Sequence, residues 1–266
     1  MDVLIVGAGA VGCWMAGSLD ADVAFADVDP TAAAEAASAV GGRAVALDAD
    51  ERFAAVVVAV PMGVAEEAIA THAPKAREAI VDLAGVMTGP AEAMAEHAPD
   101  LERASLHPLF APENAPGRIA IVAENAGPTI AAMRADLETA GNAFVETTPG
   151  EHDRAMETVQ ARVHAAVLAF GLAAEPVPEG FGTPVYDALE ALRQEVTDGT
   201  PRVYADIQAA FDGAEDVAAA ARRVADAAER IEDDPAAFER LYREAGATAR
   251  DEDGNEPDGN GPPGDG

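Results

Sequence analysis

Two features of this sequence have the residue types and positions for redox chemistry. The first is the turn Gly7-Ala8-Gly9-Ala10-Val11-Gly12, which lies between a short apolar run and a helical stretch. A GxGxxG turn in that context binds the pyrophosphate of a dinucleotide. The second is His107, whose imidazole, with an ordinary pKa of about 6.5, is mostly neutral near pH 7. Together they predict oxidation of an alcohol, in which a nicotinamide takes a hydride while a base removes the hydroxyl proton.

The glycine turn also indicates which dinucleotide is bound. A second apolar run, 23–26, ends at Asp27, about 20 residues after Gly7, where a carboxylate binds the ribose 2′-OH of NAD. Because a carboxylate repels a 2′-phosphate, the sequence favours NAD over NADP. A glycine-rich turn without a ligand is the alternative. The predicted cofactor-binding residues are Gly7, Ala8, Gly9, Ala10, Val11, Gly12, Asp27, Val60 and Pro61.

Alternating strands and helices continue through residue 148. The apolar runs predict strands at 3–6, 23–26, 55–60, 79–83, 103–106 and 119–122. Ala- and Glu-rich helical stretches separate them, which predicts a Rossmann-like, doubly wound α/β domain over residues 1–148. Because Pro61, Gly85 and His107 each follow a predicted strand end, we expect them to share one crevice with Gly7.

From residue 149 the pattern becomes helical throughout. One long helix is predicted from Glu151 to Gly171, and the further predicted helices are 184–196, 201–211, 214–231 and 235–245. The sequence therefore predicts an all-α domain for substrate binding and dimerisation at 149–247. Residues 248–266 have no apolar face and are predicted to be a disordered acidic tail.

The composition excludes several classes of protein. With 48 acids against 17 bases the net charge is −31, so binding of nucleic acid through a basic patch is excluded. No apolar stretch is long enough to span a membrane, and a cytoplasmic location is expected. Cys13 is the only cysteine, so neither a disulfide framework nor a metal site is predicted. The acidity is typical of proteins from salt-loving organisms, whose cytoplasmic salt screens such charge.

The scarcity of lysine argues against two kinds of dehydrogenase active site. Lys75 is the only lysine, and Thr71 stands where the Tyr-x-x-x-Lys site of short-chain dehydrogenases would need tyrosine. The predicted helix 151–171 also lacks the lysine that β-hydroxyacid dehydrogenases carry at that position. Histidine is therefore the favoured base.

Three segments carry a family resemblance. They are His107-Pro108-Leu109-Phe110-Ala111, then His152-Asp153 with Gln160 and His164 downstream, and last Pro201-Arg202-Val203-Tyr204-Ala205-Asp206-Ile207-Gln208. In this order, behind a dinucleotide turn, they resemble the prephenate dehydrogenase family, in the version found in halophilic archaea. The resemblance covers nearly the whole chain before the acidic tail.

The resemblance implies NAD-dependent oxidative decarboxylation of prephenate to 4-hydroxyphenylpyruvate, the tyrosine-pathway reaction. It makes His107 the catalytic base and places His164, Gln160, Glu113 and Arg193 at the substrate. On the residues alone, His164 is equally well a buried core histidine and Glu113 a solvated loop acid. His152 is interpreted as structural. A homodimer formed through the helical domain is expected.

Several alternatives stay open. Arg162 and Arg202 compete with Arg193 for the substrate carboxylate. Many family members have Ser-Val-Lys where this chain has Gly85-Val86-Met87, so the serine hydroxyl and the lysine charge are missing. Arogenate dehydrogenase is the alternative activity, and an NAD-binding protein that has lost catalysis is the alternative class.

Overall fold

The computed structural model describes residues 1–178 and 180–247, and the predicted acidic tail at 248–266 lies outside these described residues. The described chain forms one sheet of eight strands in the order β3-β2-β1-β4-β5-β6-β7-β8. The strands are β1 (Asp2–Val6), β2 (Asp22–Ala26), β3 (Arg43–Ala44), β4 (Phe53–Val58), β5 (Ala76–Asp82), β6 (Glu102–Pro108), β7 (Arg118–Asn125) and β8 (Ala143–Glu146). Each pair of neighbours is parallel except β6 and β7, which are antiparallel.

Helices cover the sheet and make up the chain after it. Those between strands are α1 (Ala10–Ser18), α2 (Pro30–Val40), α3 (Ala65–His72), α4 (Thr88–His97) and α5 (Pro128–Thr139). Those after the sheet are α6 (Pro149–Met156), α7 (Val163–Ala173), α8 (Pro184–Asp198), α9 (Pro201–Ala210), α10 (Gly213–Glu229) and α11 (Pro235–Ala247). The predicted fold class, a Rossmann-like doubly wound sheet with a helical C-terminal region, is confirmed.

The central strands are apolar because helices bury both of their faces. Every residue of β4 is buried, and so are residues 3–6 of β1. Two apolar clusters lie on the two sides of the sheet, one around Phe25 and Met15 and the other around Phe53 and Ile69. Two outer strands were missed by the sequence prediction because they lack an apolar run: β3 is exposed, and β8 buries only part of Phe144.

Strand β6 extends further than predicted, so the expectation that His107 follows a strand end was wrong. The parallel ladder with β5 ends at Ser105, but the antiparallel ladder with β7 continues to Pro108. His107 therefore pairs with Ala120 of β7 while lying beyond the carboxyl end of β5. β4 begins earlier than predicted and ends at Val58, which leaves Val60 in the following loop.

The predicted long helix is interrupted. Between α6 and α7, residues Glu157–Arg162 form a π-helix, in which hydrogen bonds run from i to i+5. Such a turn leaves a backbone group without its α-helical partner, and here Gln208 of α9 donates a hydrogen bond from Nε2 to the Ala161 carbonyl at 2.9 Å. The π-helix contains Gln160, so it changes the direction in which this predicted site residue points.

The described chain divides into two compact units, Met1–Gly213 and the residues from Ala214 onward. The first contains the sheet and helices through α9, and the second contains nearly all of α10 and α11. The division into domains at residue 148 stays a prediction. None of the helices in the described ranges combines the length and apolar character needed to cross a bilayer.

Candidate active site

The glycine turn has the geometry that a dinucleotide requires. Gly7 adopts φ +104°, and a Cβ there would lie 2.2 Å from the Ala59 carbonyl oxygen. A Cβ on Gly12 would lie 2.2 Å from the Gly7 carbonyl oxygen, so α1 approaches the turn closely. A Cβ on Gly9 meets no atom within 4 Å, which leaves the N-terminus of α1 open to a phosphate.

Asp27 lies directly after β2 and joins the glycine turn to the next helix. Its Oδ2 accepts a hydrogen bond from the Ala8 backbone at 2.7 Å, and its Oδ1 accepts one from the Asp29 backbone at 2.9 Å. Beside it is a cavity of about 460 Å³, lined by Asp27, Val28, Pro30, Ala33 and residues 44–48. That volume suits the adenosine half of a dinucleotide. A Cβ on Gly7 would lie 3.3 Å from Cγ1 of Val60, and Pro61 precedes a short 3₁₀ turn. The turn, Asp27 and the cavity together fit a dinucleotide.

His107 is the first member of a chain of three hydrogen-bonded side chains. Its Nδ1 lies 2.9 Å from Nε2 of His152, and Nδ1 of His152 lies 2.9 Å from Oδ1 of Asp153. Both histidines are buried: His107 is 8% exposed and His152 is 3% exposed. We call Asp153, His152 and His107 the relay. The sequence prediction missed this role for His152 and Asp153, and the adjacent His-Asp pair at a helix start was the only local signal.

The relay determines which nitrogen of His107 is the base. Burial alone would raise the pKa of Asp153, but hydrogen bonds from His152, Thr88 and Met87 outweigh it and hold the pKa at about 2. An ionised carboxylate can only accept hydrogen bonds, so His152 carries its proton on Nδ1. Its Nε2 is then an acceptor, and His107 carries its proton on Nδ1. Nε2 of His107 is therefore unprotonated, and its lone pair can accept a proton.

His107 stays neutral over a wide pH range. Burial lowers its pKa, the neighbouring His152 lowers it further, and Asp153 opposes both, which leaves a value of about 3. The imidazole is therefore unprotonated near pH 7, which is the state that a general base requires before it accepts a proton.

Asp153 also holds the elements around the relay together. It belongs to α6, yet it accepts hydrogen bonds from the backbone N–H groups of Met87 at 2.9 Å and Thr88 at 3.1 Å. The Thr88 hydroxyl donates to Oδ2 at 2.5 Å. These groups form the start of α4, so a carboxylate from α6 caps α4. The positive end of the α4 helix dipole stabilises the negative charge of that carboxylate. The loop from Gly85 to α4 is thereby fixed against His107.

Asp82 is a fully buried carboxyl group near the relay that the sequence prediction did not select. It is fully buried at the end of β5, pairs in register with Ser105 of β6 and accepts a hydrogen bond from the Ala84 backbone at 2.8 Å. Burial raises its pKa to about 7 against the hydrogen bonds from Ser105 and Ala84, and the charge of Asp153 contributes to the rise. The signal available in the sequence was an acid at the end of an apolar strand.

Three residues lie around the unprotonated Nε2 of His107. Gln160 lies with its Nε2 3.4 Å from Nε2 of His107. A Cβ built on Gly85 would lie 3.6 Å from the same nitrogen and 2.9 Å from Sδ of Met62. The structure therefore brings together His107 and Gln160, both selected from the sequence, and adds Met62, which the sequence prediction did not select.

The other predicted substrate residues make different contacts. His164 lies one turn beyond Gln160, where its ring packs edge-on against Tyr204 with centroids 4.7 Å apart. Glu113 is exposed in a short 3₁₀ turn, and its charge contributes to the raised pKa of Tyr204, after burial and Glu195. Arg193 forms an ion pair with Glu190 on its own helix and packs against Gly171. Their roles at the substrate stay predictions.

The fold and the site are those of a dinucleotide-dependent dehydrogenase. No family model matches the chain. A 4-amino-4-deoxyprephenate dehydrogenase from Streptomyces pristinaespiralis is 37% identical over 231 residues, which cover 80% of this chain and 78% of the relative. A probable arogenate/prephenate dehydrogenase from Methanocaldococcus jannaschii is 26% identical over 61% of this chain and 40% of the relative. The chain belongs to the prephenate/arogenate dehydrogenase family.

Solved structures share the fold across nearly the whole chain. Prephenate dehydrogenase from Aquifex aeolicus, in complex with hydroxyphenyl propionate and NAD+, matches with a TM-score of 0.68. It is 15% identical, and the match covers 93% of this chain and 96% of that one. Synechocystis arogenate dehydrogenase matches with a TM-score of 0.55 at 17% identity, over 93% and 98% of the two chains. These likenesses support the arrangement of sheet and helices described above.

Proposed function

We propose that the protein is an NAD-dependent dehydrogenase that oxidatively decarboxylates prephenate to 4-hydroxyphenylpyruvate. The observation that carries the proposal is the relay, because it leaves Nε2 of His107 unprotonated beyond the carboxyl end of β5. The glycine turn follows the carboxyl end of β1, and ligands of such sheets bind at this edge. Membership of the prephenate/arogenate dehydrogenase family supports the same reaction class. The buried, neutral base argues against a protein that only binds NAD.

The residues of the site perform the proton transfer in two steps. NAD bound at the glycine turn supplies the acceptor for the hydride. His107 Nε2 accepts a hydrogen bond from the ring hydroxyl and takes its proton as the carbon is oxidised. The positive charge that develops on His107 is stabilised through His152 by the carboxylate of Asp153. His107 then returns the proton to the ring oxygen as the ring carboxylate leaves as CO2.

We propose NAD rather than NADP as the cofactor. Asp27 stands at the end of β2 with its carboxylate beside the cavity of about 460 Å³. A 2′-phosphate placed there would face this negative charge within a protein of net charge −31.

The carboxylates of the substrate need a cation, and we retain Arg193 as the proposed partner, with Arg162 and Arg202 as competitors. A guanidinium binds a carboxylate through two parallel hydrogen bonds. Arg193 pairs with Glu190 in this structure. For Arg193 to bind substrate, a carboxylate of the substrate would have to replace the carboxylate of Glu190. His164, Gln160 and Glu113 are proposed to line the same pocket.

We further propose that the helical region 149–247 binds substrate and forms a homodimer. The support is the set of exposed apolar side chains on its helices and loops, among them Leu172 at 90%, Phe181 at 74% and Val185 at 72% exposed. A sedimentation run in molar KCl is expected to show a dimer, and a monomer at all concentrations would refute it. We also propose a halophilic source, which the net charge of −31 supports, and a cytoplasmic location.

The reaction is tested by the absorbance of NADH. The intact protein in molar KCl is mixed with NAD and prephenate, then with arogenate in place of prephenate, and then with NADP in place of NAD. We expect NADH from prephenate and NAD, with one CO2 for each NADH. Folded protein that binds NAD but oxidises no cyclohexadienyl substrate would contradict the proposal and favour the binding protein that has lost catalysis.

A further inference from the structure

The groups around Nε2 of His107 are mainly hydrogen-bond acceptors. The relay makes this nitrogen an acceptor, as shown above. Sδ of Met62 occupies the space that a side chain at position 85 would enter, and a thioether is a weak acceptor without a proton. Gln160 contributes a third acceptor, since its Oε1 is buried and has no hydrogen-bond partner among residues 1–178 and 180–247.

Position 85 supplies no hydroxyl beside His107. Gly85 has no side chain, so nothing at that position can donate a hydrogen bond to an oxygen of the substrate. The Thr88 hydroxyl is engaged with Asp153 at 2.5 Å. The NH2 group of Gln160 is the nearest donor, and it already lies 3.4 Å from Nε2 of His107.

This set of groups suits an amine better than a hydroxyl. A hydroxyl has one proton to donate and two lone pairs that need donors. A protonated amine has three N–H donors and no lone pair, so it can donate to more than one of these acceptors. A hydroxyl would satisfy one of these acceptors and would leave the others buried without partners, which weakens its binding.

We propose that the site prefers a prephenate-type ring that carries an amine at the carbon that is oxidised, and that it oxidises prephenate itself more slowly. This inference rests on the proposed function, because it uses the same base, the same pocket and the same oxidant. It assigns Gly85, Met62 and Gln160 as specificity-determining residues.

The reaction balances with the nicotinamide dinucleotide as oxidant. The ammonium group of the substrate first gives one proton to Nε2 of His107. A hydride then passes from the amine-bearing carbon to the nicotinamide. The bond between the ring and its carboxylate breaks, its electron pair completes the aromatic ring, and CO2 leaves. The products are an aromatic amine, CO2, NADH and one proton.

The test compares kcat/KM for 4-amino-4-deoxyprephenate and for prephenate, with NAD and the intact protein in molar KCl. We expect the amine to be favoured by about ten- to a hundredfold. Gly85→Ser restores a hydroxyl beside His107 and should shift the ratio toward prephenate by about tenfold or more. Gly85→Ala is the matched control, because it adds the same Cβ against Met62 without the hydroxyl, and its ratio should stay within about threefold of wild type.

The possible outcomes separate this inference from the proposed function. Faster oxidation of prephenate than of the amine by the wild-type protein would overturn the inference and leave the proposed function in place. Equal shifts for Gly85→Ser and Gly85→Ala would also overturn it, because the effect would then be steric. Folded protein that binds NAD but oxidises neither substrate would overturn the proposed function itself.

Discussion

Replacing Asp153 with asparagine should stop Nε2 of His107 from acting as a base, although the His107 side chain itself is unchanged. Both oxygens of Asp153 accept hydrogen bonds, from His152 and Met87 at one and from Thr88 at the other. An amide has only one oxygen, so its NH2 group must face donors at one of these positions. If the NH2 group faces His152, it needs an acceptor there. His152 then moves its proton to Nε2 and His107 moves its proton to its own Nε2.

The expected fall in kcat follows from the rate enhancement that a general base provides. A positioned general base contributes about 10²- to 10⁴-fold to the rate, which corresponds to about 3 to 5 kcal/mol. We expect Asp153→Asn to lower kcat by an amount in this range, because the variant loses the negative charge that stabilises protonated His107 and, where its NH2 group faces His152, the unprotonated Nε2 of His107 as well. The KM for NAD should change little, because Asp27 and the glycine turn are untouched. The assay is initial-rate NADH formation, with NAD affinity measured by fluorescence titration.

Thr88→Val is the matched control for this prediction. It removes the hydroxyl that contacts Asp153 but keeps the carboxylate and its bond to His152. We expect it to lower the melting temperature through weaker capping of α4 and to leave kcat within about threefold of wild type. If Asp153→Asn lowered kcat no more than Thr88→Val does, the relay would be structural and the reasoning would be refuted.

Three further predictions concern pH and cofactor choice. Because the pKa of His107 is lowered to about 3, kcat/KM should stay level from about pH 8 to about pH 5, whereas a fall centred near pH 6.5 would contradict this account. The pKa of Asp82 is raised from 3.8 to about 7, so the folded state binds this proton more tightly than the unfolded chain does. Unfolding free energy should therefore fall by up to about 4 kcal/mol between about pH 4 and pH 7, and Asp82→Asn should remove that slope in denaturant titrations. Asp27→Ser should raise the affinity for NADP relative to NAD by about tenfold or more, and an unchanged ratio in titrations with both would refute its assigned role.

The sequence was most informative where function depends on local chain geometry. The turn from Gly7 to Gly12 could be predicted because close backbone packing and a positive φ leave glycine as the residue that fits. The central strands could be predicted because burial on both faces requires continuous apolar runs. His107 could be selected because it follows the predicted strand 103–106 and because lysine chemistry is excluded, although β6 itself continues through His107 to Pro108.

The relay could not be predicted because it depends on tertiary contacts. His107 and His152 are 45 residues apart, and their 2.9 Å contact requires the antiparallel pairing that extends β6 and the docking of α6 against α4. Neither feature has a local pattern. The π-helix around Gln160 was missed for a similar reason, since its freed carbonyl is satisfied by Gln208 from a different helix. Strand β8 was missed because an edge strand needs little apolar surface.

The most direct test of the central claim is the rate of NADH formation by His107→Asn, measured together with its affinity for NAD. Asparagine keeps a polar side chain of similar reach, but it offers no basic nitrogen. The account predicts a fall in kcat of about 10²-fold or more with the dissociation constant for NAD unchanged. A variant that retains wild-type turnover would contradict the assignment of His107 as the base.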